Sequence, residues 1–142
     1  MADPFRYVPF RSVPFRYGVR VQYVDTDQGG VVHHAAYLRF LEQARVELLR
    51  ARGVDYRRFE REVGKGLPVA EVRIRYERPA RFDDELEVEA WVGVINRAKI
   101  RFDYRIWRGE ERLTTAEITC ACVDLAKQRI CSMDPSLREA FE

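Results

Sequence analysis

Tyr23-Val24-Asp25-Thr26-Asp27-Gln28-Gly29-Gly30-Val31-Val32-His33-His34-Ala35-Ala36-Tyr37 joins two periodicities. Before it, residues 15–24 read as a first strand. After it, Tyr37, Phe40, Leu41, Ala44 and Leu48 recur at helical spacing and form one apolar stripe, with Arg39, Glu42, Glu47 and Arg50 off that stripe. Gly29 and Gly30 make a turn between the two, which puts Asp27 at the turn and His34 at the mouth of the helix. A carboxylate beside the free N–H groups of a helix N-terminus is an arrangement able to cleave a carbonyl compound. The carboxylate supplies a base or nucleophile, and the N–H groups stabilise the oxyanion.

Working outward, Gly53 closes the long helix as a C′ residue and Asp55 caps a short second helix over 56–63, which Gly64 and Gly66 end. From Leu67 the period changes to two. Ala70, Val72, Ile74 and Tyr76 share one face against Glu71, Arg73, Arg75 and Glu77. Leu86, Val88, Ala90, Val92 and Val94 alternate with Glu85, Glu87 and Glu89. Ala98, Ile100, Phe102, Tyr104 and Ile106 alternate with Lys99, Arg101, Asp103 and Arg105. Turns at 79–84, 96–97 and 108–110 separate these runs, residues 113–125 form a fourth long strand, and Pro135 starts a last helical turn. One sheet face is apolar and able to wrap the single helix stripe; the other is charged and faces water or a second subunit. The expected fold class is α+β, an antiparallel curved sheet wrapped around one long central helix.

The chain of 142 residues, 46% hydrophobic and 34% charged, suits one soluble domain with a small core, which gains by oligomerising. A net charge of +2 is too balanced to point to nucleic acid. Among the 25 basic residues only 65, 99 and 127 are Lys; the Arg excess reflects either genome composition or sites for phosphate. Cys120 and Cys122 lie on one face of a single strand, wrong for a disulfide, so they and Cys131 read as reduced, buried thiols of a reducing compartment. No His/Cys spacing matches a metal site. No signal peptide and no run of ~20 apolar residues is visible, so no transmembrane segment is expected and the location is cytoplasmic. Residues 4–17 repeat Pro-Phe-Arg: residues 1–15 read as a proline- and aromatic-rich arm, either a tail or an arm packing on a neighbouring subunit through Phe5, Phe10 and Phe15.

The layout and motifs resemble the hotdog-fold acyl-CoA thioesterases, and among them the 4-hydroxybenzoyl-CoA thioesterase family and its bacterial branch associated with the Tol–Pal gene cluster. The carrying residues are Tyr23-x-Asp25-Thr26-Asp27-x-Gly29-Gly30-Val31-Val32-x-His34-Ala35-x-Tyr37, then Glu42-x-Ala44-Arg45. They continue with Leu67-Pro68-Val69, Tyr76-x-x-Pro79-Ala80-Arg81-x-Asp83-Asp84-x-Leu86 and Cys122-Val123-Asp124. The resemblance covers residues 16–142, one hotdog domain, and leaves the arm outside. It departs at His33, where an aromatic is common, and at Ala36, where Asn is common; these positions bear on the acyl pocket.

The resemblance implies hydrolysis of an acyl-CoA thioester to a carboxylic acid and free CoA, with coenzyme A part of the substrate and no separate cofactor. Its essential carboxylate falls on Asp27, accompanied by Tyr23 and His34, with the oxyanion-binding N–H near His34. Gly30, Val31, Val32 and His33 are the expected substrate-binding residues at the turn. Arg97 and Lys99, in the hairpin after the Glu-rich strand, are candidates for the CoA phosphates, or a solvated turn. Tyr23 and Asp25 share a strand face with Asp27 if the strand reaches that far; Tyr23 then orients Asp27, and Asp25 holds the turn. Glu42 reads as structural, pairing with Arg45. Hotdog domains pair so that sites form between subunits, so a homodimer or homotetramer is expected. A hotdog enoyl-thioester hydratase or dehydratase and a non-catalytic acyl-CoA-binding module are the alternatives.

Overall fold

The computed structural model describes residues 14–141 and the backbone of 6–7. Helix α1 (Ala36–Ala51) buries Tyr37, Phe40, Leu41, Ala44, Leu48 and Leu49, the stripe read from the sequence extended by one residue. Helix α2 (Tyr56–Val63) is capped by Asp55, whose side chain accepts the Arg58 N–H, and ends at Gly64 in the left-handed conformation.

The strands are β1 (Arg6–Tyr7), β2 (Phe15–Arg20), β3 (Lys65–Gly66), β4 (Val69–Tyr76), β5 (Glu85–Ile95), β6 (Lys99–Arg108), β7 (Glu111–Ala121), β8 (Val123–Asp124) and β9 (Arg129–Ile130). The main sheet is antiparallel in the order β1-β5-β6-β7-β4, with β2 also paired to β5; β3, β8 and β9 form a small second sheet. Helix α3 (Pro135–Ala140) closes the chain, its N-terminus capped by Asp134. Within the expected arm, Arg6 and Tyr7 pair with Ile95 and Val94 of β5. The remainder of that arm up to residue 13, including Phe5 and Phe10, lies outside the described residues. Phe15 belongs to β2 and packs against the core.

The period-two faces of β5, β6 and β7 close on α1, whereas the apolar face read for β4, Ala70, Val72, Ile74 and Tyr76, stays largely exposed because β4 lies at the sheet edge. Leu86, Val88, Ala90 and Val92 of β5, Ile100, Phe102, Tyr104 and Ile106 of β6, and Ala116, Ile118 and Cys120 of β7 are all buried. Alternation predicts Val94 on this face, but a bulge between Val92 and Val94 shifts the register, and Ile95 is buried instead. Gly93 permits the bulge: a Cβ there meets the Asp103 carboxylate at 2.2 Å. The opposite face carries ion pairs of Arg101 with Asp103 (2.8 Å) and Arg105 with Glu89 (3.3 Å), and the Arg105 guanidinium lies 4.8 Å from the Trp91 ring centroid.

The strand order creates a crossover that matters for the site. β4 lies at one edge beside β7, yet β5 begins next to β2 on the other side, so residues 77–84 must traverse the domain. Within this segment Asp84 links to Arg108 at 2.7 Å. Burial opposes ionisation of Asp84, but Arg108 and the Arg81 N–H outweigh it and hold the carboxyl below its usual range.

Candidate active site

The first strand ends at Arg20, not at Val24; Tyr23–Asp25 is a turn of 3₁₀ helix. Tyr23, Asp25 and Asp27 therefore do not alternate along a strand. The chain instead folds back as a tight loop. Thr26 bridges Val32, the Asp27 N–H donates to the Val31 carbonyl at 2.9 Å, and the His33 N–H donates to the Asp25 carbonyl at 2.7 Å. The loop rests on the crossover: the Val32 N–H donates to the Ala80 carbonyl at 2.8 Å, Val31 bridges Arg81, and Val21 exchanges backbone bonds with residues 83 and 84.

Asp27 is exposed at the tip of this loop. Its Oδ1 accepts the Gly29 N–H at 2.8 Å and the Val31 N–H at 3.4 Å. Its Oδ2 makes no hydrogen bond among the described residues. The backbone donors, rather than the Tyr23 hydroxyl, thus fix the carboxylate. Gly30 turns the chain with φ of +79°, and a Cβ there has nothing within 4 Å. The cost of Gly30→Ala is then purely conformational, about 1–2 kcal/mol. A thermal melt is expected to show that loss, and no loss means that the turn relaxes.

Asp25 holds the base of the loop. It is 3% exposed, accepts the Gln22 N–H at 2.8 Å and takes an ion pair from Arg39 of α1. This bears out the structural reading of Asp25 and adds Arg39, which the sequence shows only as a polar position off the helix stripe.

His33 and His34 precede the helix, which begins at Ala36. Their rings stack at 4.3 Å rather than pointing apart. His33 Nδ1 accepts the Ala35 N–H at 3.2 Å, so His33 ties the turn just ahead of the helix, whose own N-terminus has no side-chain cap. The His34 carbonyl accepts the Tyr76 hydroxyl at 2.8 Å, and the His34 N–H has no partner among the described residues. No hydrogen bond joins the His34 ring to Asp27. Tyr23 is 77% exposed and packs edge-on against Phe82 at 5.2 Å. Tyr37, under the helix start, accepts the Ala80 N–H at 3.2 Å, and burial raises its hydroxyl above the ordinary range.

The structure thus gathers Tyr23, Asp27, Gly30, Val31, Val32, His33 and His34 in one loop and adds Tyr76 and Phe82 from elsewhere in the chain. Arg97 and Lys99 are not brought there. They are exposed in the β5–β6 hairpin, at the far end of a strand 11 residues long that starts beside the loop, about 36 Å at ~3.3 Å per residue. Glu42 is exposed and makes no ion pair with Arg45, whose guanidinium donates to the Tyr104 hydroxyl at 3.2 Å instead. An open groove of about 560 Å³ runs beside the loop, walled by Tyr23, Arg39, Gln43 and Phe82 among others; Asp27 is not part of its wall. Among the described residues, no three His, Cys, Asp or Glu side chains cluster as metal ligands, and no helix is long and apolar enough to cross a membrane.

A helix wrapped by an antiparallel sheet, with an acidic loop at the helix start, matches the Thioesterase-like superfamily over residues 21–141, and the chain belongs to that family. It is 39% identical over 127 residues to the acyl-CoA thioesterase YbgC of Haemophilus influenzae, across 89% of this chain and 93% of the relative. A hypothetical protein from Thermus thermophilus superposes with a TM-score of 0.84 at 31% identity, covering 89% of this chain and 95% of its own. A 1,4-dihydroxy-2-naphthoyl-CoA thioesterase from Synechocystis shares the fold, with a TM-score of 0.83 at 22% identity over 91% of this chain and 96% of its own. The α+β hotdog fold expected from the sequence is the fold of the chain.

Proposed function

We propose that this protein hydrolyses acyl-CoA thioesters, releasing a carboxylic acid and free CoA, with Asp27 as the reacting carboxylate. One observation carries the assignment of Asp27: its Oδ1 is pinned by two backbone N–H groups while Oδ2 has no hydrogen-bond partner among the described residues, in an exposed loop that leads into α1. Oδ2 either attacks the thioester carbonyl, giving a mixed anhydride that water cleaves, or takes a proton from the water that attacks. The His34 N–H, at the entry to α1, is the donor for the oxyanion. CoA leaves as a thiolate, which needs little acid assistance. In this reading Tyr23 and His34, in the same loop as Asp27, orient the substrate, and Gly30, Val31, Val32 and His33 form the wall that meets the acyl group. The reaction needs no metal or separate cofactor, since CoA is part of the substrate.

The motif through 23–37 supports a finer placement in the 4-hydroxybenzoyl-CoA thioesterase family and its Tol–Pal-associated branch. The thioesterase domain spans 16–142, with 1–15 as an arm whose Arg6, Tyr7 and Phe15 pair with β5 of its sheet. The odd number of cysteines, with Cys120 and Cys122 on one strand, supports a cytoplasmic location.

A single chain leaves the site open. Among the described residues β4 pairs only with β7, which leaves its other edge unpaired by them, and Val69, Val72 and Tyr76 of β4 are 40–47% exposed. An exposed apolar edge strand is a template for a second chain. The protein is a homodimer at least, with a tetramer as the larger assembly, and any contact of Arg97 and Lys99 with CoA phosphates at Asp27 comes from another subunit. Sedimentation velocity is expected to show no monomer at micromolar concentration; an active monomer contradicts this assembly.

The activity itself is tested by free-thiol release from a panel of aromatic, short-chain and long-chain acyl-CoAs. Turnover of at least one class is expected. Hydration of enoyl-CoA without thiol release would assign the protein to the hydratases instead, and binding without turnover would make it an acyl-CoA-binding module.

A further inference from the structure

The three cysteines are not equivalent. Cys120 is buried in β7. Cys122 and Cys131 face each other at the base of the β8–β9 hairpin, continuing the register of Val123 with Ile130 and Asp124 with Arg129. The Cys131 N–H donates to the Cys122 carbonyl at 2.9 Å, and the two Sγ atoms stand 3.6 Å apart. This pairing is invisible in the sequence, where Cys131 lies beyond the turn and only Cys120 and Cys122 look like neighbours.

The surroundings are polar on one side. Cys122 Sγ lies 3.5 Å from the Ser132 carbonyl, and the Asp134 backbone N–H acts on the same sulfur. The Lys65 ammonium is held close by the Ser132 carbonyl at 2.9 Å and by Asp134 at 3.9 Å. Cys122 is fully buried, whereas Cys131 is partly exposed. Burial, reinforced by the neighbouring thiol, pushes Cys122 up to about 11. The pair therefore combines an accessible thiol with a buried one in direct contact with it.

We propose that Cys122 and Cys131 are a redox-active dithiol that closes to an intramolecular disulfide on reaction with a low-molecular-weight disulfide such as oxidised glutathione. The partly exposed Cys131 reacts first. Its thiolate attacks one sulfur of the oxidant, forms a mixed disulfide and expels one glutathione thiolate. Cys122 gives its proton to the glutathione thiolate just expelled, attacks the Cys131 sulfur and expels the second glutathione as a thiolate. Two protein thiols are oxidised and one external disulfide is reduced to two thiols. Directly opposed residues of an antiparallel pair have Cβ atoms about 4.5–5.5 Å apart against about 3.5–4.5 Å across a disulfide, so closure asks the strands to draw together by up to about 1 Å and the sulfurs, now 3.6 Å apart, by about 1.5 Å. The strands that must yield, β8 and β9, are two residues each. The bond closes a loop tied to the β5–β6 turn, since the Cys122 N–H donates to the Ala98 carbonyl at 2.7 Å and the Met133 N–H to the Arg97 carbonyl at 2.6 Å.

The test is a thiol count and a disulfide map on the folded full-length protein after oxidised glutathione, against a dithiothreitol-treated control. The three free thiols are expected to fall to one. Trypsin cuts after Lys127 and Arg129, so the peptide bearing Cys122 and the peptide bearing Cys131 are expected to stay joined, lighter by two hydrogens. The oxidised protein is expected to melt several degrees higher than the reduced one. Cys120→Ala is expected to leave the link in place, and Cys131→Ser to abolish it. Three thiols remaining, a glutathione adduct that persists on Cys131, a link through Cys120 or a bond between two chains each overturns the proposal. Cys120 and Cys122 share the tryptic peptide 113–127, so fragmentation of the joined pair between these two residues assigns the wild-type link even if a variant fails to fold.

Discussion

Asp27→Asn is expected to lower kcat/KM for acyl-CoA hydrolysis by about 100-fold or more, the scale of losing a central acid–base or nucleophilic group. The substitution is nearly isosteric. Its side-chain carbonyl still accepts the Gly29 and Val31 N–H groups that fix the native carboxylate. The loop is expected to keep its shape, because the Thr26 bridge to Val32 and the Asp25 pair with Arg39 do not involve the Asp27 side chain. The loss should therefore appear in kcat, with the melting temperature unchanged within a degree or so. Rates equal to wild type in a folded variant would place the chemistry on another residue. A parallel fall in stability and activity would make Asp27 a turn-former rather than a reacting group, the role its Gly29 contact alone allows.

Phe40→Ala is expected to cost about 3–5 kcal/mol of folding stability. Phe40 is fully buried on the inner face of α1. It packs edge-on to Tyr37 with ring centroids 5.9 Å apart, and the Arg39 guanidinium sits 5.1 Å from its ring centroid. The sheet wraps this single helix, so the neighbours of Phe40 lie on elements that cannot collapse independently into the space it leaves. Urea unfolding is the measurement: a lower midpoint at unchanged slope is the expected outcome. A loss under 1 kcal/mol would mean that the core is not organised around α1. Because Phe40 follows Arg39, the partner of Asp25, the same variant reports whether the helix also anchors the loop; in that case activity falls before the protein unfolds.

Much of the fold was legible because it is written in short-range periodicity. The stripe of Tyr37, Phe40, Leu41, Ala44 and Leu48 is buried along α1, and the alternation in β5, β6 and β7 matches their buried faces. The places where pattern reading failed are those where the backbone leaves the ideal period. The bulge at Gly93 exchanged Val94 for Ile95, and the chain left the strand at Arg20 to form a 3₁₀ turn, so Tyr23 never shared a face with Asp27. Asp27 and its flanking residues were found because they are contiguous. Tyr76, Phe82 and Arg39 were not, because each reaches the loop from a separate element.

The sequence by itself determined the two helices α1 and α2 and the long strands β4 to β7 to within a few residues, which side of α1, β5, β6 and β7 is buried apart from the bulge, and that a carboxylate stands in a glycine turn ahead of a helix. These properties depend on residues a few positions apart, where backbone geometry leaves few choices. Only the tertiary structure decided what the turn rests on, which nitrogens hold Asp27, and which cysteines meet. Those contacts follow from the strand order. With β4 at one edge and β5 starting beside β2, the crossover over 77–84 is carried under the loop, and the β8–β9 hairpin sets Cys131 opposite Cys122. No local period encodes such pairings, because they join residues whose separation in the chain is bridged only when the whole core has closed.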